Sequence, residues 1–516
     1  MKPKTRALII GLDGATWRII TRLIRKGQLQ TLKHLVENGT SGNLQSTIPP
    51  WTIPAWEVMS TGLNPGKIGF ATFTIRKGTN FIPYYFDHKV RHKNIWDMLS
   101  KNDKTVIVAN VPNIYSAYPI NGVMIGGFLT IDHSRLTYPP SLKEKLNKVT
   151  GEYIPDITTV MDLTLGDPQK VYQKELEILN IHHLTFTYLL LEYQWDFGFI
   201  VYAEPDRVQH KFWGDWDRIK EIYRRLDNYL YEMLENVVTD DTVVFIVSDH
   251  GFGPGDKKIL WINKFLMERG YLVLKRNIRR QILLRLLWVI KKLRLDKTVM
   301  ATIEKFPPSV HKILRESGKT LTSSGLISQV DWSKTKALSY GVYGEIFINI
   351  PCDNPEYEIT RNKLILELKK EFGDIKIFKK EEIYNGPYLS ELPDLIILVD
   401  DEHINAVSPN LEVDNLRLTK GNHRLNGIFL AYGPGIKKGH KIENAKIYDI
   451  APTILHIFGL PIPNDMDGRV LTEIFEEDSE FAKRKPKYVD PSYYEKKGED
   501  EKLKKAIKNL KLKGKI

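Results

Sequence analysis

Short apolar runs separated by long amphipathic stretches constrain this chain more than any other feature it has. The runs are Ala7 to Gly11, Thr105 to Ala109, Phe197 to Tyr202, Thr242 to Val247, Leu395 to Val399 and Ile428 to Ala431, all rich in β-branched or aromatic residues. That alternation reads as a mostly parallel sheet covered by helices, an α/β fold. Three of the runs lead straight into polar residues: Leu12-Asp13-Gly14, Glu204-Pro205-Asp206 and Ser248-Asp249-His250. Open α/β sheets bind ligands at the carboxyl ends of their strands, so these three stretches are expected to converge.

With 516 residues, 42% of them hydrophobic, the chain can bury one large core or two moderate ones. Its single cysteine, Cys352, excludes an intramolecular disulfide and leaves His and carboxylates to build any metal site. A reducing compartment fits best, and the expected location is cytoplasmic. The early apolar run Ala7 to Leu12 meets Asp13 before a signal-peptide core would be complete. The stretch Ile282 to Ile290, broken by Arg285, falls short of the roughly 20 residues needed to cross a bilayer.

The net charge of +12 is local: residues 275–297 and 481–516 each carry +8, which leaves the remainder at −4. A basic footprint for nucleic acid is therefore absent from the body of the protein, and no nucleic-acid partner is expected. We divide the chain into a core, 1–274, a basic helical insertion or cap, 275–324, a second part of the core, 325–475, and a charged tail, 476–516, expected to be loosely attached and to end in a short helix. The insertion reads as a lid helix with a solvated basic rim in preference to contact of 275–297 with an anionic membrane surface. Oligomeric state is not legible.

The chemistry lies in carboxylates and histidines placed after strands. Asp206 and His210 are four residues apart and share one helical face, so both can reach one metal. Asp249 and His250 follow a strand, Asp13 ends the first one, and His423 precedes another. Singly, each has an ordinary explanation: Asp13 could cap a helix near Ala15, His210 could be a packed core histidine, and Asp249 could form a turn. Together they offer a mixed nitrogen and oxygen donor set suited to Zn, Mn or similar ions. Thr52 stands at the start of a helix-compatible stretch that Gly62 ends, where free amides and the positive dipole end favour both its alkoxide and a phosphate oxygen. An ordinary threonine cap would have the same geometry. Trp51, Trp56, Phe73 and Tyr202 lie near these motifs and read as packing in preference to stacking on a base.

Six motifs extend this pattern: IGLDG at 10–14, PPWTIPAWEVMSTGLNPG at 49–66, PDRVQHKFW at 205–213, VSDHGFGP at 247–254, GNHRLNGIFLAYGPGI at 421–436 and DIAPTILHIFGLPIPNDMDGRVL at 449–471. In this order they resemble the type I phosphodiesterase/nucleotide pyrophosphatase family of the alkaline phosphatase superfamily. The resemblance implies an alkaline-phosphatase-like three-layer sandwich and two divalent metal ions, Zn with Mn or Mg as alternatives. One metal falls on Asp13, Thr52, Asp249 and His250, the other on Asp206, His210 and His423. The first metal lowers the pKa of the Thr52 hydroxyl, the alkoxide attacks phosphorus, and the second metal stabilises the departing oxygen. Water then hydrolyses the phosphothreonine. The stretch from Ile450 to Phe458 and the turn at Asp467-Gly468-Arg469 receive no catalytic role.

The chain departs from the pattern where many relatives read HG and it has Ile68-Gly69, and where nucleotide pyrophosphatases place an Asn near Phe73. The implied substrate is a small phosphorus ester, a phosphodiester first. Alternatives are a phosphomonoesterase or phosphoglycerate-mutase-like enzyme, disfavoured because those mutases use Ser, and a non-catalytic metal-binding module, disfavoured because all seven ligand positions are filled. A sulfatase would need C/S-x-P-x-R, which Thr52-Ile-Pro-Ala lacks.

Overall fold

Alternate residues of one central strand explain the layering of the molecule. In the strand β1 (Arg6–Leu12), Ala7 and Ile9 enter one hydrophobic core while Leu8, Ile10 and Leu12 enter another. A sheet buried on both faces needs helices on both, and period-two alternation of wholly apolar residues supplies the two contact surfaces. The computed structural model describes residues 5–83, 93–128, 130, 133–156, 167–255, 258–275, 326–341, 343–373, 375–398, 405–407 and 420–497.

The main sheet continues with β2 (Thr40–Gln45), β3 (Val106–Val111), β4 (Gly122–Gly126), β5 (Thr137–Tyr138), β6 (Phe197–Tyr202), β7 (Thr242–Val247), β8 (Asn426–Tyr432) and β9 (His440–Lys446). Their order is β9-β2-β8-β7-β1-β6-β3-β4-β5, with only β8 and β5 running against the rest. β1 is paired in parallel with β6 on one side and β7 on the other, which brings the ends of those three strands together. One face is covered by helices that include Thr52–Thr61, Ile95–Ser100 and Ile450–Ile457, the other by Trp17–Arg25, Pro168–Glu192, Glu204–Phe212 and Trp216–Asn236. Local chemistry sets several of these ends. Thr16 and Asp167 accept amide hydrogen bonds at helix starts, and Gly62, at φ +70°, stops the Thr52 helix in the left-handed region.

Two expectations are corrected. Leu395–Leu398 does not belong to the main sheet but to a separate four-stranded antiparallel sheet with Ala337–Ser339, Glu345–Ile348 and Lys376–Lys379. Its Leu395 and Ile397 pack with Leu338, Ile346 and Leu364 in a core of their own, because a short apolar run encodes burial but not its partner strand. The chain also stays docked beyond Glu476. Phe481 and Tyr494 are buried in the first core, and Tyr488–Val489 pairs with Ile462–Pro463. The basic stretch 275–297 and the cap 275–324 lie outside the described residues, apart from Lys275. Among the described residues no helix is long and apolar enough to cross a membrane.

Asp97 gives the fold a pH signature. It closes a capping box with Asn94, accepting that residue's amide at 3.1 Å and the Tyr118 hydroxyl at 3.2 Å. Burial pushes its carboxyl up to about 7, and the Asn94 and Tyr118 hydrogen bonds pull it back only in part. A carboxyl raised in the folded state contributes most below its unfolded value of 3.8, and that contribution is lost as pH rises towards about 7. Thermal unfolding of Asp97→Asn, which keeps both hydrogen bonds, should therefore show the variant gaining on the parent across this window and levelling above it. A difference independent of pH would refute the assignment.

Candidate active site

Three carboxylates arrive from adjacent strand ends. Asp13 follows β1, and its amide donates to the Tyr202 carbonyl at the end of β6 at 2.9 Å. Asp249 and His250 follow β7, while Asp206 and His210 lie on the helix Glu204–Phe212 that begins just after β6. His423 comes from far along the chain. The strand Gly421–Arg424 runs antiparallel to Gly251–Pro254 and sets His423 opposite Phe252. Glycine makes two of these placements feasible. A Cβ on Gly11 would lie 2.4 Å from Trp56, so only glycine lets that indole cross β1, and Gly14 turns the chain at φ +65°.

Each carboxylate is fully buried, with one oxygen anchored and the other without a hydrogen bond. Asp13 Oδ2 accepts Trp56 Nε1 at 3.2 Å, Asp249 Oδ1 accepts the Gly14 amide at 3.2 Å, and Asp206 Oδ2 accepts Arg207 Nη1 at 2.6 Å. Asp13 Oδ1, Asp249 Oδ2 and Asp206 Oδ1 have no partner. The histidines repeat the arrangement. Nδ1 of His210, His250 and His423 faces the carbonyls of Gly421 (3.1 Å), Gly251 (3.1 Å) and Pro50 (2.8 Å), which only accept, so Nδ1 carries the hydrogen and Nε2 offers its lone pair.

These lone pairs meet. His423 Nε2 lies 2.9 Å from His210 Nε2 and 3.1 Å from Asp206 Oδ1, and His250 Nε2 lies 3.1 Å from Asp249 Oδ2 and 3.6 Å from Asp13 Oδ1. Acceptors cannot satisfy one another, and leaving them buried is costly, so the set fits cations. Among the described residues two groups bring one donor atom from each member within 4.8 Å of the others, Asp13–Asp249–His250 and Asp206–His250–His423, with His250 common to both. Burial, then the Asp249 and Asp206 charges, push the Asp13 carboxyl well up, and burial followed by Asp206 does the same to Asp249. Burial lowers both His250 and His423.

Thr52 is the first residue of the helix Thr52–Thr61, and the backbone of Trp51 precedes it as the cap. Its hydroxyl does not cap; it lies 3.2 Å from His250 Nε2 and is almost wholly buried. The cap near Ala15 is Thr16, not Asp13, and His210 turns its ring to His423, not into the core. Trp56 and Tyr202 pack as expected, whereas Trp51 and Phe73 are half-buried and meet edge-to-face at 4.5 Å. Sequence reasoning missed the second sheet's share of this wall. Tyr343 lies 4.8 Å from the Trp51 ring and 5.7 Å from that of His423, and buried Glu345 accepts Trp51 Nε1 at 2.8 Å. It also missed Arg207 and its partner Asp156, whose only sequence signal is that Arg207 adjoins Asp206.

A family model described as type I phosphodiesterase / nucleotide pyrophosphatase matches residues 7–424. Among solved structures, murine ectonucleotide pyrophosphatase/phosphodiesterase 5, an inactive form in complex with AMP, is similar with a TM-score of 0.52 at 12% identity, covering 92% of this chain and 100% of that one. Phosphonoacetate hydrolase from Sinorhizobium meliloti, in complex with phosphonoformate, also has a TM-score of 0.52, at 14% identity over 87% and 94%. At these identities the likeness is one of fold, and the fold is the alkaline-phosphatase-like sandwich that the motifs imply. The 2,3-bisphosphoglycerate-independent phosphoglycerate mutase of Bacteroides thetaiotaomicron is 45% identical over 49 residues, a match that spans only 10% of this chain and 10% of that protein.

Adding a divalent ion to chelator-stripped protein should raise its unfolding temperature, with about 2.7 kcal/mol of stabilisation at a hundred times the dissociation constant. His423→Ala should hold less metal per chain than the parent. Equal metal content in the two would show that His423 is not a ligand.

Proposed function

The chain belongs to the type I phosphodiesterase/nucleotide pyrophosphatase family, and on that premise we propose that it is a metal-dependent hydrolase of phosphorus esters, diesters above all, with Thr52 as nucleophile. The observation that carries the reading is the Thr52 hydroxyl, held at a helix start 3.2 Å from His250 Nε2, the atom that lies 3.1 Å from Asp249 Oδ2 and 3.6 Å from Asp13 Oδ1. Asp13, Thr52, Asp249 and His250 would hold one divalent ion and Asp206, His210 and His423 a second, with Zn suited to the donor set and Mn or Mg as alternatives. Bound ions would acidify the Thr52 hydroxyl and neutralise charge on the leaving oxygen.

The protein's own groups account for the rest. Pro54 lacks an amide hydrogen, so the first-turn donors are those of Thr52 and Ile53, which a helix start offers to a non-bridging phosphate oxygen. In the first step Thr52 Oγ1 bonds to phosphorus as the P–O bond to the leaving group breaks, and the one proton given up by the threonine hydroxyl is balanced by the one that the departing alkoxide takes up from solvent to leave as the alcohol. Water then cleaves the bond between phosphorus and Oγ1, releasing a monoester and restoring the hydroxyl.

A preference for diesters is supported by charge. Three carboxylates facing two divalent ions leave one positive charge, which a monoanionic diester balances and a dianionic monoester exceeds. Arg76 and Lys77 do not supply more, since Arg76 bonds to the Ile348 carbonyl and Asn349, and Lys77 pairs with Glu391 at 3.3 Å. The proposal includes a small-molecule substrate, no nucleic-acid partner and a cytoplasmic setting, the last supported by the single exposed cysteine. A phosphomonoesterase or mutase-like activity is the second reading, favoured by the short stretch shared with the phosphoglycerate mutase.

After chelation and restoration of Zn, Mn or Mg, bis-p-nitrophenyl phosphate should be hydrolysed faster than p-nitrophenyl phosphate. The reverse order would favour the second reading. Thr52→Ala should lose roughly 10³-fold or more of the turnover while keeping its fold and most of its metal. Near-normal activity would identify another nucleophile.

A further inference from the structure

Of the three anchors that fix the buried carboxylates, two belong to the packed scaffold, an indole and a backbone amide, and only one is a charged side chain with a partner of its own. Arg207 immediately follows Asp206 on the helix Glu204–Phe212, and neighbours in sequence do not face each other there. Its side chain nevertheless turns back to place Nη1 2.6 Å from Asp206 Oδ2. Asp156 holds it in that pose from 51 residues upstream, accepting Nε at 3.3 and 3.0 Å and Nη2 at 2.6 Å, while the guanidinium lies 4.9 Å over the Phe128 ring. Both side chains are largely buried, 14% and 13% exposed, so the geometry is not a passing surface contact.

Building on the metal-centre reading above, we propose that Arg207, locked by Asp156, is a positioning residue of the metal site. It occupies Oδ2 of Asp206 and thereby commits Oδ1 alone to the cation. Asp206 Oδ1 is the atom nearest the imidazoles, 3.1 Å from His423 Nε2 and 3.4 Å from His210 Nε2, and it has no hydrogen-bond partner. Freed of Arg207, the carboxylate could rotate about its terminal bond, and that freedom competes with one-oxygen ligation. Asp156 also cancels the charge of Arg207. The pair therefore contributes orientation without repelling the ion, which a lone arginine beside a metal would do.

The charge balance dictates the experiment. Removing Arg207 alone would unmask Asp156 and attract cations, hiding any loss of orientation, so the informative protein is Arg207→Met combined with Asp156→Asn, which removes one charge of each sign. Zn²⁺ is titrated into chelator-stripped protein in competition with a chromophoric chelator, and unfolding of the metal-free forms is measured in parallel. The double variant should bind the ion near Asp206 roughly 10- to 100-fold more weakly. Arg207→Lys, which cannot span two carboxylates, should fall between it and the parent. A merely structural ion pair would lower the stability of the metal-free protein and leave Zn²⁺ affinity unchanged, and that result overturns the proposal. If the double variant fails to fold, Arg207→Lys decides, with parental affinity again the overturning outcome. A parent that binds no Zn²⁺ would instead refute the metal-dependent reading itself, together with this inference.

Discussion

The active-site architecture depends on one unfavourable arrangement: three carboxylates and three imidazole lone pairs held together out of water. Carboxylates buried this closely repel, and burial with that repulsion pushes Asp13 and Asp249 well up even with one oxygen of each tied, so the arrangement calls for positive charge. The protein restrains them in the same way three times, tying one oxygen to a donor and leaving the other bare. Trp56, the Gly14 amide and Arg207 are unlike donors, yet each sets the direction of the free oxygen. The requirement then spreads outward. Trp56 needs Gly11 beneath it, Gly14 needs a left-handed turn, and Arg207 needs Asp156.

A parallel sheet suits this demand because it brings successive strand ends into register. With β1 between β6 and β7, Asp13, Asp206 and Asp249 are neighbours by topology, although Asp13 and Asp249 are 236 residues apart in the chain. The smaller sheet plays another part. It contributes none of the clustered Asp and His side chains, but through Tyr343 and Glu345 it holds Trp51 beside Thr52, so the flank of the site is built by a different core from the one behind the carboxylates.

How much of this the sequence disclosed follows from how local each signal is. The β1, β6 and β7 strands were legible because wholly apolar runs ending in an acid are unusual, and Asp206 with His210 because four residues make a helical turn. Thr52 was legible as a helix start, but only the structure shows that its hydroxyl turns to His250 Nε2 and does not cap the helix, since the distinction lies in where Oγ1 points. Leu395–Leu398 misled because its apolar residues satisfy either sheet. Asp156 and Tyr343 left no trace, as each acts through one contact with a residue distant in sequence and no spacing rule reports such a pair. The docking of Phe481 and Tyr494 was hidden under the high charge of the residues around them.

The strand β2 has a history as well as a position. It pairs only with β8 and β9, never with an earlier strand, so both of its edges stay bare until those two have been made. About 380 residues of chain separate β2 from β8, and at roughly 5–20 residues per second that means on the order of 20 to 80 seconds of synthesis. During that time on the ribosome the left half of the sheet cannot close, and His423, which lies just before β8, is not yet available to the site. The nascent chain thus carries two bare strand edges and an incomplete Asp/His cluster together, and the late-emerging segment completes both at once.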